Sequence, residues 1–198
     1  MNRTLKISCT AVFAALSVAM NFLTLKPTPQ IAFSFTITVC FMAGIYLGIL
    51  PALAVGFLGD TIAHLIHPLG AYNWFIALST ALYGVICALA YKLPIKSKLI
   101  KLIIALFVTL VVCSCGLNTF GLWLQYKVSV EPGIVGLIQF LTTDTPVDTS
   151  FWAYLYIRLP WFTLNMLMNG VVIAIAQQLK VLDKLFWHLQ GEKDLLDK

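Results

Sequence analysis

Asp60, His64 and His67 fall at i, i+4 and i+7, which on a helix places a carboxylate and two imidazoles along one face. Those donor types suit a transition metal. The sequence offers no fourth ligand, so no metal is expected. The face reads instead as a polar lining, with Asp60 bridging neighbouring helices and His64 and His67 bordering a vestibule. A second set comprises Asn118 and Thr119, then Arg158, Asn165 and Asn169. Arg158 and Asn165 are about two helical turns apart and share a face. A guanidinium and amides supply many hydrogen-bond donors and no negative charge, a match for an anionic or carbonyl-rich solute. The amides equally suit hydrogen bonding between helices. Tyr72, Asn73 and Trp74 add rings that either stack on a planar ligand or serve as an interfacial belt.

Other chemistries lack residues. No GxxxxGK[ST] occurs, so the chain holds no P-loop for ATP, and no HExxH, GxSxG or paired-carboxylate arrangement appears. The chain is therefore not expected to be an enzyme or to bind a cofactor. Its five cysteines all lie in apolar stretches and read as small buried hydrophobes. The net charge of +5 comes with no basic stretch interleaved with aromatics, which argues against nucleic-acid binding.

The elements that must carry these groups follow from composition. Of 198 residues, 60% are hydrophobic and 11% charged, and the mean hydropathy is +0.91. A soluble domain holds about 25% charged residues, so lipid must solvate the excess apolar surface. Six stretches approach the roughly 20 apolar residues that cross a bilayer: Ile7–Leu25, Ile31–Leu47, Leu50–Ile66, Trp74–Tyr91, Leu102–Leu124 and Phe151–Leu179. The fold class is thus all-α, a multi-pass membrane bundle of six spans in one domain, residues 1–198. The first run is long for a signal peptide and no A-x-A-like site follows it, so it reads as a retained span.

Basic residues set the orientation. Arg3 and Lys6, then Lys92, Lys96, Lys98 and Lys101, then Lys180 and Lys184 all fall on one side of six spans. The positive-inside rule makes that side cytoplasmic, with both termini inside. The outer side keeps Lys26, Lys127 and Arg158 with Glu131, Asp144 and Asp148. Val128–Ser150 is the longest outer connection, and its Ile134–Leu141 core suggests a short interfacial helix or lid. Leu182, Leu185, Phe186 and Leu189 form a stripe in the tail that suits the cytoplasmic interface. Small residues recur four apart at Ala11, Ala15 and Ala19 and at Gly44 and Gly48, with Gly56 and Gly59 following. Such spacing lets helices approach closely.

Longer patterns now carry a resemblance. Gly56-Phe57-Leu58-Gly59-Asp60, then His67-Pro68-Leu69-Gly70-Ala71-Tyr72, then Leu78-Ser79-Thr80-Ala81-Leu82-Tyr83-Gly84 resemble the substrate-binding S component of energy-coupling factor (ECF) vitamin transporters. The folate subgroup, with G-x-x-x-D, P-x-G-x-Y and L-S-x-x-L-x-G, is the nearest likeness. Leu117-Asn118-Thr119 with Leu122-Trp123-Leu124, and Tyr156-Ile157-Arg158-Leu159-Pro160, look like that subgroup's fifth- and sixth-span signatures. Ala11, Ala15 and Ala19 resemble the AxxxA motif through which S components meet a shared coupling subunit.

The resemblance implies a six-helix binding protein in the bacterial plasma membrane, with a vitamin pocket near its outer surface. Arg158, Asn118, Tyr72, Trp74, Asn165 and His64 would line that pocket. Gln30 and Phe33 would join them, since Gln30-Ile31-Ala32-Phe33 stands where the subgroup carries an Arg-x-x-Phe-like lead-in to span two, its cation missing here. The partners implied are a transmembrane coupling subunit and two ABC ATPases, which use ATP that this chain does not bind. Folate is the first ligand expected, with another vitamin or a nucleobase-like compound as alternatives. A stand-alone secondary transporter or channel is the competing class. It would want a coupling-ion relay of acidic residues in several spans, where this sequence offers Asp60.

Overall fold

A computed structural model describes residues 3–28, 31–67, 72–126 and 151–179. Gln30, the 128–150 connection with its expected lid, and the tail stripe beyond Lys180 lie outside the described residues. The elements in order are α1 (Arg3–Phe22), a hairpin of β1 (Leu25–Thr28) and β2 (Ile31–Phe33), α2 (Thr36–Leu47), α3 (Ile49–Ile66), α4 (Trp74–Tyr91), α5 (Lys98–Thr109), a π-helical segment (Leu110–Asn118), α6 (Thr119–Tyr126) and α7 (Phe151–Gln178). Because α5, the π segment and α6 run on without a break, the described residues form six helical rods.

Five of the rods are long and apolar enough to cross a membrane, and α2 is the shorter apolar helix among them. Its 12 residues rise about 18 Å, less than the hydrocarbon thickness. The expected span from Ile31 begins instead as a strand, paired antiparallel with Leu25 opposite Phe33 and Thr28 opposite Ile31.

The helices α3 and α4 pack together, with α1 on the free side of α3 and α2 across both, while α7 closes the bundle against α2, α5, the π segment and α6. Large apolar side chains such as Val12, Leu50, Leu65, Phe107 and Leu167 stay exposed on the outside, where lipid is their solvent. In lipid, helices associate through close packing rather than hydrophobic collapse, and glycines supply it here. A Cβ on Gly44 would lie 2.3 Å from the Gly84 carbonyl oxygen, and one on Gly56 would lie 2.4 Å from that of Thr80. A Cβ on Gly59 would meet the Ser17 hydroxyl at 2.2 Å. Gly48 departs from the expected Gly44–Gly48 packing pair. It has φ +91° with nothing near its Cβ position, so it forms the corner where α2 ends and α3 begins, and Pro51 follows in the first turn of α3.

At the end carrying the lysine-rich connection, Lys101 Nζ donates to the Tyr91 carbonyl at 2.9 Å, and Gln177 Nε2 donates to the Tyr91 hydroxyl. One tyrosine thereby ties α4, α5 and α7. At the opposite end, Asn73 caps α4, its Oδ1 accepting from the Phe75 amide at 3.0 Å.

Candidate functional site

On α7, Tyr154 and Phe162 flank Arg158 at i−4 and i+4, so all three point along one face. The guanidinium carbon lies 5.2 Å from the Tyr154 ring centroid and 4.6 Å from that of Phe162. Arg158 is 5% exposed, and its NH1 has no hydrogen-bond partner. Tyr83 of α4 and Cys115 of the π segment stand within electrostatic reach of it. Asp60 is the one carboxylate among the described residues, and the charge it feels is that of His64. Among the described residues, the guanidinium therefore lies against two aromatic rings with no carboxylate to balance it. Cation–π contact offsets part of the desolvation cost, but a buried charge without an anion is costly. Chemically, the arrangement is a socket that would accept a carboxylate or another anionic group.

Around the socket, Asn118 ends the π segment and reaches the Tyr83 hydroxyl, which also faces Ser79. Phe33 packs edge-on against Trp161, their centroids 6.1 Å apart, and both rest against the buried pair Tyr154 and Ile157. Towards the end away from the lysine-rich connection, Phe120 meets Phe75 at 5.4 Å, and Trp123 meets Phe151 at 6.1 Å. This aromatic rim belongs to α4, α6 and α7; α7 carries the guanidinium, and α6 follows directly on Asn118.

The other expected residues divide between two places. Tyr72 stacks edge-on with Trp74 at 4.9 Å and with His64 at 5.0 Å, and its hydroxyl shares a 2.8 Å hydrogen bond with Thr61. These three form one aromatic group where α3 gives way to α4, with Trp74 largely exposed. Asn165 sits at the start of α2, its Oδ1 accepting from the Ser34 amide at 3.3 Å and from Asn169 Nδ2 at 3.2 Å. The expected single face of Asp60, His64 and His67 is broken. α3 stops at Ile66, so His67 leaves the helix and its ring meets Phe22 at 6.4 Å. No three His, Cys, Asp or Glu side chains among the described residues gather as a metal set. Ala11, Ala15 and Ala19 lie exposed on α1, while Phe13, Ala14 and Ser17 face inward.

Sequence reasoning missed Tyr83, Tyr154, Phe162 and Cys115. The signal for two of them was present, since Tyr154 and Phe162 sit one turn either side of Arg158. Tyr83 and Cys115 come from other rods, and only packing brings them in.

Comparison with known proteins covers most of the chain. Residues 5–176 match the family profile described as ECF transporter, substrate-specific component. Among solved structures, the chain is similar to one described as FolT bound with folic acid, with a TM-score of 0.65 and 20% identity over 85% of this chain and 89% of that one. At that identity the likeness speaks for the fold. A comparison with curated proteins gave no match.

Proposed function

We propose that this chain, which belongs to the family of substrate-specific components of ECF transporters, captures a planar, anionic vitamin at its outer end, with folate as the first candidate. The family fixes the coarser statement: a multi-pass membrane subunit that binds substrate and is not itself an enzyme. The observation that carries the ligand class is Arg158, buried between two rings and lacking a carboxylate partner among the described residues. An anionic group on the ligand would supply the missing charge, and the aromatic rim would lie against a planar ring. Folate carries both features, and the similar FolT chain was crystallised with folic acid.

In this reading Asn118 and Phe33 line the ligand pocket together with the guanidinium. Tyr72, Trp74 and His64 form the opposite lip, Asn165 holds the α2 lead-in, and Gln30 precedes it in sequence. A transmembrane coupling subunit would dock on the exposed Ala11, Ala15 and Ala19 face, and two ABC ATPases would supply the driving force. The test is equilibrium binding of folic acid to the purified chain without ATP. Arg158→Ala should weaken folic acid roughly 10- to 100-fold, as expected for loss of a charge-assisted hydrogen bond, and should spare a neutral pterin analogue. Equal losses for both compounds would remove Arg158 as the anion partner.

A further inference from the structure

The fifth rod changes its hydrogen-bond register in mid-membrane, from α in Lys98–Thr109 to π in Leu110–Asn118 and back to α in Thr119–Tyr126. A π turn spends one more residue than an α turn and is held only where something supports it. Two buried hydroxyls do so here. Thr119 Oγ1 donates to the Ser114 carbonyl at 2.8 Å, and the Thr119 amide bonds the same carbonyl and that of Gly116. The span from Ser114 to Thr119 is five residues, the π spacing. In an α turn the Ser114 carbonyl would bond the amide of Asn118, and the Thr119 side chain would face a different carbonyl. From the neighbouring helix, Ser79 Oγ donates to the Cys113 carbonyl at 3.3 Å. Ser79 and Thr119 are both fully buried.

The register has a local consequence. Asn118 approaches the Tyr83 hydroxyl, Cys115 stands within electrostatic reach of Arg158, and Gly121 turns its bare Cα to Phe75 and Asn73. One residue fewer at Gly116 would rotate everything after it by about 100° and dismantle the contacts of Asn118 and Gly121.

We propose that Ser79 and Thr119 are positioning residues of the ligand site: their hydroxyls hold the fifth rod in its π register, and that register delivers Asn118 and Cys115 to Tyr83 and Arg158. Neither hydroxyl needs to touch the ligand. The proposal deepens the ligand reading above and rests on Arg158 being where the ligand binds.

The experiment uses the full chain in detergent with folic acid as probe, read by tryptophan fluorescence, together with the alkylation rate of Cys115 by N-ethylmaleimide in ligand-free protein, read by peptide mapping. Thr119→Val and Ser79→Ala should each weaken folic acid about tenfold, the usual effect of losing one buried hydrogen bond. Both should change the Cys115 rate severalfold, and Thr119→Ser, which keeps the hydroxyl, should restore both quantities. Deletion of Gly116 should abolish binding in protein that still melts cooperatively. An unchanged Cys115 rate in Thr119→Val and Ser79→Ala overturns the proposal whatever folic acid does. Failure of wild-type protein to bind folic acid, with the Cys115 shift and its rescue intact, overturns the ligand reading alone.

Discussion

Arg158 and Asn169 sit on one helix and show how differently two polar residues inside a bilayer can behave. Arg158 retains an unpartnered donor and lies against two rings with no carboxylate partner among the described residues, which is why it is assigned to a ligand. Asn169 is fully buried and saturated. Its Oδ1 accepts from the Thr38 amide at 3.1 Å and from the Thr38 hydroxyl at 2.7 Å, while its Nδ2 donates to the Ser34 carbonyl at 2.9 Å. The first turn of α2 has no side-chain cap from Phe35, the residue at its cap position. Asn169 supplies that function from α7, alongside Ser34 Oγ, which accepts from the Thr36 amide at 3.2 Å. Asn169→Leu would strand the Thr38 amide and the Ser34 carbonyl in apolar surroundings. The expected cost is about 2–4 kcal/mol, measured as a lowered melting temperature, with Asn169→Asp losing less because it keeps the acceptor. The sequence left the amides at 165 and 169 open between ligand binding and helix bridging, since an amide's chemistry is the same in both; its neighbours decide.

Among the elements, α1 is packed on one side only. Phe13, Ala14 and Ser17 face inward, and Ser17 meets α3 at Gly59. Ala11, Ala15 and Ala19 lie exposed on the same helix. A methyl-lined strip of this kind lets another helix come close, whereas a large side chain would hold it off. Ala15→Trp is therefore expected to leave the isolated chain folded and able to bind ligand, yet to prevent co-purification of the coupling subunit and to stop uptake in cells. Intact assembly with this variant would remove the docking role of α1. The glycines of α3 behave in the opposite sense, because the Ser17 side chain of α1 and the backbone of α4 already occupy the space their side chains would need. Spacing alone treats the alanine strip and the glycine sites alike. Exposure separates them.

For the molecule as a whole, the distribution of lysines predicts that the 92–101 connection faces the cytoplasm. A single cysteine introduced at Lys96, an exposed position, should resist a membrane-impermeant thiol reagent in intact cells and react after lysis. Labelling from outside would invert the bundle and move the Arg158 socket to the wrong side for capture. The sequence by itself determined the fold class, the placement of the long spans and the family likeness. Apolar run length and charge asymmetry are properties of the chain taken in order, and the bilayer reads them in that order. Only the tertiary structure decided that the start of the second span is a hairpin and that His67 leaves the face of Asp60. It alone brought Tyr83 and Cys115 within electrostatic reach of Arg158. Those outcomes depend on which rods touch and in what hydrogen-bond register, and a π segment nine residues long rotates half a helix without leaving a mark on hydrophobic periodicity.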